Sequence, residues 1–195
     1  MPLSAKGSEM QCQERMFGLE NYVLIGFMGS GKTTVGRELS RKTGWDNPDT
    51  DALIVEKTGM QITDIFAAEG ENGFRERETE LLKELAESKR EHIIYSCGGG
   101  IVLRKENRPL LRELGVVVYL EVSVDEVIRR IGADTSRPLL AGKNRREKVQ
   151  TILDERRAVY ESCADITVHV TGKEPEEIAE EILRQTKKVH REEKD

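Results

Sequence analysis

Tyr22-Val-Leu-Ile-Gly26-Phe-Met-Gly-Ser-Gly31-Lys32-Thr33-Thr34 places an apolar run of strand length directly before a glycine-rich turn and a helical pattern. From Gly26 onward it fits G-x-x-x-x-G-K-[ST] at every fixed position. Such glycines let backbone N–H groups wrap phosphate oxygens, and the following helix points its positive N-terminus at them. Lys32 can then reach the β- and γ-phosphates, and the Thr33 hydroxyl can ligate Mg²⁺. The residues predict a nucleoside triphosphate site on an α/β scaffold.

Working outward, apolar runs of strand length alternate with helical spacing. Strands are expected at Tyr22–Phe27, His92–Cys97, Val116–Glu121 and Asp165–Val170, with a weaker one ending at Asp49. Helical patterns occupy Thr33–Lys42, Phe74–Lys89, Asp125–Ile131 and Arg145–Tyr160. A last one starts at Pro175 and carries Ile178, Ile182 and Leu183 at helical spacing. Alternation of this kind implies a parallel sheet with helices on both faces. Residues 1–20 are polar and aperiodic and read as a disordered extension, residues 21–189 as one domain, and residues 190–195 as a charged tail.

Composition narrows the function classes. The chain has 195 residues, 37% hydrophobic and 34% charged, which suits one domain with an ample core and excludes a wholly disordered chain. Its net charge of -5, from 31 basic and 36 acidic residues, argues against nucleic acid as the main partner. No apolar run approaches the roughly 20 residues that cross a bilayer, so no membrane partner and a cytoplasmic location are expected. Cys12, Cys97 and Cys163 form no CxxC pair, and His92, His169 and His190 are scattered, which indicates neither a disulfide framework nor a zinc site.

The chemistry done with the triphosphate needs further residues. No N-K-x-D element occurs, and the central strand candidates end in Ser96-Cys97 and Glu121 rather than Asp. Carboxylates to organise magnesium therefore point to Asp49-Thr50-Asp51, where alternate residues of a strand would face one side; a solvated or helix-capping pair is the plainer alternative. From Arg129 to Arg157 nine basic residues face four acidic ones, a local excess that suits anionic substrates.

Taken in series, Gly26–Leu39 (GFMGSGKTTVGREL), Asp49–Ile54 (DTDALI), Gly59, Phe74–Leu81 (FRERETEL), Gly98–Gly100, Arg137–Leu140 (RPLL) and Arg156 with Tyr160 resemble shikimate kinase, in order from Asn21 to Arg184. The resemblance implies a P-loop kinase of three-layer α/β/α architecture with a five-stranded parallel sheet and a mobile lid at about 133–143. It implies transfer of the γ-phosphoryl of ATP to the 3-hydroxyl of shikimate with Mg²⁺, by a monomer. Carried over by position, Asp51, Lys32 and Arg137 would be catalytic, with Asp51 also on the substrate hydroxyls and Arg137 closing from the lid. Gly29, Ser30, Gly31, Lys32, Thr33, Thr34 and Arg137 would hold the phosphates, and Lys173 and Pro175 the adenine. Thr33, with Asp49 through water, would hold the metal, with the Ser96 hydroxyl nearby. Arg75 and Arg156 would grip the shikimate carboxylate, which suits the fixed fork of a guanidinium, and Gly98, Gly99 and Gly100 would let backbone approach the ring. Gly132 and Gly142 bracket the lid as hinges.

The chain also departs from that pattern. An apolar strand is expected before Asp49, but the residues are Trp45-Asp46-Asn47-Pro48, and Pro48 cannot donate to a ladder, so this strand should be short or at an edge. Cys97 replaces a small or apolar residue and reads as a buried thiol. Arg157 competes with Arg156 as the clamp, and the spacing to Tyr160 favours Arg156. Gluconate kinase, dephospho-coenzyme A kinase and a non-catalytic nucleotide-binding domain remain alternatives, although the triple glycine and paired arginines favour a compact carboxylated polyol.

Overall fold

The computed structural model describes residues 21–131 and 144–192, with side chains to Lys187. The expected extension at 1–20 and the expected lid, with Arg137, Gly132 and Gly142, lie outside the described residues. Strand β1 (Tyr22–Ile25) leads through the glycine turn into α1 (Lys32–Thr43), followed by α2 (Thr50–Thr58) and the long α3 (Ile62–Ser88). Next come β2 (Ile94–Ser96), α4 (Asn107–Leu114), β3 (Val116–Glu121) and α5 (Val124–Ile131). After residue 143 the chain continues as α6 (Arg145–Cys163), β4 (Ile166–His169) and α7 (Pro175–Glu192). Helix α3 bends at Gly70, whose φ of 70° and ψ of -174° interrupt the helical backbone. No helix among the described residues is long and apolar enough to cross a membrane.

The strands are parallel in the order β2-β1-β3-β4. Tyr22 pairs with Ile94 on one side and Val116 on the other, and Val118 pairs with Ile166. Because side chains alternate across a strand, each strand feeds two cores. Tyr22, Leu24, Val118 and Leu120 pack with Val35, Leu39, Ile178 and Ile182 of α1 and α7. Val23, Ile25, Val117 and Tyr119 pack on the other face with Leu82, Leu111 and Tyr160 of α3, α4 and α6. Both faces are covered, so β1 is buried throughout, whereas β4 alternates buried and exposed as an edge strand does. The three-layer arrangement is as expected.

The sheet has four strands, not the five expected. The backbone of segment 46–49 pairs along the β2 edge only as isolated bridges, Asp46 to Ile93 and Asp49 to Ser96. Ile94 N–H donates to the Asp46 carbonyl at 2.8 Å and Ser96 N–H to the Pro48 carbonyl at 2.9 Å. The return bond between them is missing, since Pro48 has no N–H. Trp45 anchors the start of this segment, stacked on Tyr22 with centroids 5.3 Å apart.

Asn21 ties the opposite end of the sheet. It is 2% exposed; its Nδ2 donates to the carbonyls of Arg90 at 2.7 Å and Leu114 at 2.9 Å, and its Oδ1 accepts from Ile93 N–H at 2.8 Å. Asn21→Ala should leave two buried backbone groups and one half-buried carbonyl without this partner and cost about 3 kcal/mol. Urea unfolding should show this as a lower midpoint at unchanged slope; an unchanged midpoint would show that water replaces the side chain.

Candidate active site

The C-terminal ends of β1, β2 and β3 open on one crevice, where doubly wound sheets place their ligands. At the end of β1, Gly31 takes a left-handed φ of 95° and caps α1. Lys32 Nζ donates to the carbonyls of Gly26 at 2.8 Å and Phe27 at 3.0 Å, which folds its amine back over the turn. Arg130 of α5 braces the same turn, with Nη1 3.1 Å from the carbonyls of both Gly29 and Ser30. Its Nε is held by Glu126, and Arg129 together with Arg130 pulls that carboxyl down to about 2. Beside the turn a cleft of about 240 Å³ is lined by Gly31, Thr34, Arg129, Arg130, Lys173 and Pro175. Lys173 is paired there with Glu181 at 2.6 Å.

Asp49 ends the bridged segment and begins α2. Its Oδ1 accepts from Asp51 N–H at 3.0 Å and Ala52 N–H at 3.3 Å, capping the helix. Its Oδ2 accepts from Thr33 Oγ1 at 3.4 Å. Ser96 is bridged to Asp49, and its Oγ donates to the Lys32 carbonyl at 3.3 Å. Thr33, Asp49 and Ser96 thus present hard oxygens to one space at the foot of α1, a donor set that fits Mg²⁺ with retained waters. Asp51 is in the first turn of α2 and not in a strand, so alternation along a strand is not what brings the two carboxylates to one site.

The turn after β2 carries the closest packing. A Cβ on Gly98 would lie 2.6 Å from Asp51 Oδ1 and 3.0 Å from Glu78 Oε1, and one on Gly100 would lie 2.3 Å from Arg75 Nη2. Only glycine permits these approaches. The turn is fixed from both sides: Gly98 N–H donates to Thr50 Oγ1 at 3.0 Å, and the Tyr160 hydroxyl donates to the Gly99 carbonyl. Arg75 Nη1 bonds Glu78 at 2.7 Å and Nη2 bonds Glu71 at 3.2 Å, while its buried Nε has no partner among the described residues. Glu78 is fully buried with Oε1 likewise unpartnered, and burial pushes its carboxyl up to about 7 against the pull of Arg75. Burial pushes the Tyr160 hydroxyl up to about 12 against the pull of the hydrogen-bonded Arg156 and of the Arg75 charge. Arg157 is exposed and turns to Glu121 at 3.3 Å.

A family model for shikimate kinase matches residues 28–187. The shikimate kinase of Enterococcus faecalis is 44% identical over 171 residues, covering 87% of this chain and 99% of the relative. That of Thermodesulfovibrio yellowstonii is 40% identical over 88% of this chain and 97% of its own length. The structure of the Acinetobacter baumannii shikimate kinase in complex with shikimate superposes with a TM-score of 0.80 at 38% identity, covering 89% of this chain and 96% of that one. The chain belongs to the shikimate kinase family.

For this shikimate kinase family member, the residues singled out by sequence divide cleanly. Gly29, Ser30, Gly31, Lys32, Thr33 and Thr34 form one turn and helix start, with Lys173 and Pro175 across the adjoining cleft. Asp51, Arg75, Gly98, Gly99, Gly100 and Arg156 gather around one turn, and Arg137 lies outside the described residues. Cys97 is buried at 2% exposure, as expected of an inert thiol. Two residues without a predicted role emerge. Glu78 closes the F-R-x-x-E run, three residues after Arg75, a spacing that puts the two on one helix face. Arg130 reaches the phosphate turn from 100 residues away, and no local spacing could reveal that.

Glu78 gives stability a defined pH dependence. Its carboxyl lies above the usual 4.5, so the folded chain holds a proton that the unfolded chain has lost between pH 4.5 and about 7. The stability contributed by Glu78 is complete below that window and falls as pH rises through it. Arg75, Asp51 and Glu71 are the charges that bear on it. Glu78→Gln should remove that decline, so its melting temperature should gain on the wild type between pH 5 and 7.5. Parallel melting curves across that range would refute the assignment.

Proposed function

We propose that the chain transfers the γ-phosphoryl group of ATP to the 3-hydroxyl of shikimate, giving shikimate 3-phosphate and ADP. The observation that carries this reading is the convergence of Asp51 and Arg75 on Gly98 and Gly100, with Arg156 behind Tyr160 on the same turn. A carboxylate acceptor for hydroxyl protons and two guanidinium groups around a turn without side chains suit a small ring bearing hydroxyls and a carboxylate. Neither an extended open-chain sugar acid nor a large nucleotide acceptor calls for so close an approach to backbone.

The triphosphate would lie along the turn at Gly29–Thr33, its phosphates on backbone N–H groups and its adenine in the cleft between Arg130 and Pro175. Lys32 would exchange the carbonyls of Gly26 and Phe27 for β- and γ-phosphate oxygens. Thr33, with Asp49 through water, would hold Mg²⁺, which would neutralise phosphate charge when bound. Arg75 and Arg156 would fix the acceptor by its carboxylate, so that its hydroxyl meets the γ-phosphorus in line. Asp51 would accept the hydroxyl proton as the new P–O bond forms and the bond to ADP breaks. Arg137 would add positive charge from the lid. These steps need positioning and charge stabilisation rather than a covalent intermediate.

An ADP-release assay with MgATP tests the acceptor directly. Shikimate should stimulate release strongly, and gluconate and dephospho-coenzyme A should not. Stimulation by either of those alone, or by no acceptor, would overturn the reading. Asp51→Asn should lower kcat by roughly 100- to 10,000-fold, the usual weight of a positioned base. Arg75→Ala and Arg156→Ala should raise the KM for shikimate by roughly 10- to 100-fold, the scale of a charged hydrogen bond. An unchanged KM in both would contradict the carboxylate clamp.

A further inference from the structure

Two hydrogen bonds run from β2 to segment 46–49, at the Asp46 and Pro48 carbonyls. In a regular parallel ladder, the rung between them would run from the N–H of residue 48 to the Ile94 carbonyl. Pro48 has no such hydrogen, yet that carbonyl is not orphaned: Asn47 Nδ2 donates to it at 2.6 Å. The second hydrogen of the same amide goes to Ser96 Oγ at 3.1 Å. Ser96 in turn spends its own hydrogen on the Lys32 carbonyl at 3.3 Å. A side-chain amide thus stands in for a backbone rung and reaches the residue where the magnesium side of the site meets α1.

The fit of this amide is tight. A Cβ on Gly36 of α1 would lie 2.6 Å from both Asn47 Nδ2 and Oδ1 and 2.7 Å from Ser96 Oγ. Helix α1 therefore presents a bare backbone at the point where Asn47 passes between it and β2. Two residues further on, Asp49 caps α2 and faces Thr33.

We propose that Asn47 is a positioning residue that replaces the backbone rung lost at Pro48 and so fixes Asp49 and Ser96 against the phosphate turn. The proposal rests on the assignment of Asp49 and Ser96 to the metal side of the site, and it makes Asn47 and Pro48 interdependent. With Pro48 present, the amide is needed; with a residue that has an N–H at position 48, it is not.

A double-mutant cycle of Asn47→Ala and Pro48→Ala tests this, read by amide hydrogen exchange and by steady-state kinetics. Asn47→Ala should lower the protection of the Ile94 and Ser96 amides by roughly ten-fold, the scale of one lost buried hydrogen bond. It should lower kcat by a similar factor with less than about a two-fold change in the KM for shikimate, because Arg75 and Arg156 stand on other elements. Pro48→Ala alone should change neither. In the double variant, protection and kcat should both return to within about two-fold of the wild type, since residue 48 then donates to the Ile94 carbonyl. A double variant no better than Asn47→Ala, or an Asn47→Ala without loss of protection, would overturn the proposal. Asn47→Asp keeps the volume but not the donor, and full protection in it would assign Asn47 to packing instead. Should Asn47→Ala fail to fold, the double variant must fold and show native protection, or the proposal falls. Wild-type enzyme inactive toward shikimate would refute the proposed function, while the exchange cycle would still decide the role of Asn47.

Discussion

The approach of Asp51, Glu78 and Arg75 to the backbone of Gly98–Gly100 is the constraint around which the neighbouring elements are arranged. Charged groups can crowd a turn this closely only if the turn has no side chains and does not move. Thr50 holds it from α2 and Tyr160 from α6, so two helices distant in sequence fix one carbonyl and one N–H of the same turn. Tyr160 is stacked on Tyr119 of β3, with centroids 5.0 Å apart, which ties that hydroxyl to the centre of the sheet. The turn therefore inherits the rigidity of β1 and β3, although it extends from the shorter β2.

The fifth position of the sheet shows how little regular structure a site needs when its anchors are well placed. Segment 46–49 is not a strand, yet Asp49 is oriented by two N–H groups of α2, by Thr33 and by a bridge to Ser96. Trp45 secures the segment at one end by stacking, and the helix cap secures it at the other. Proline in an interior ladder would be costly; here its missing N–H falls on the β2 side, and the Asn47 amide supplies the donor that the Ile94 carbonyl would lack.

Much of this was legible in the residues because short-range rules govern it. The phosphate turn, the strand before it and the helix after it all lie within 22 residues. The alternation of strands and helices followed from burial on both faces of a parallel sheet. Pro48 announced a weak edge, since a missing N–H is a property of the residue itself. Most of what was not legible depends on distant contact, and some on local ambiguity. That Asp51 starts a helix follows from the cap made by Asp49, and D-x-D reads equally well as strand end or helix start. Helix α4 has Pro109 inside its first turn, which reads as a breaker, and it was not expected. The depth of Glu78 and the reach of Arg130 depend on how α3 and α5 meet the sheet.

Arg75 shows how a buried and an exposed partner share the orientation of one guanidinium. Two of its nitrogens are engaged, one by buried Glu78 and one by Glu71, whose side chain is 61% exposed. The exposed pair is of the kind worth little in water, because solvent competes for both partners. The buried pair is different, since leaving Glu78 without its guanidinium would strand a carboxylate away from water. Of the two partners, Glu71 is the one that a carboxylate bound as proposed would displace. Glu78 holds the guanidinium flat over Gly100, so the orientation of the fork is set by the fold, and little would be lost in ordering it for the proposed acceptor.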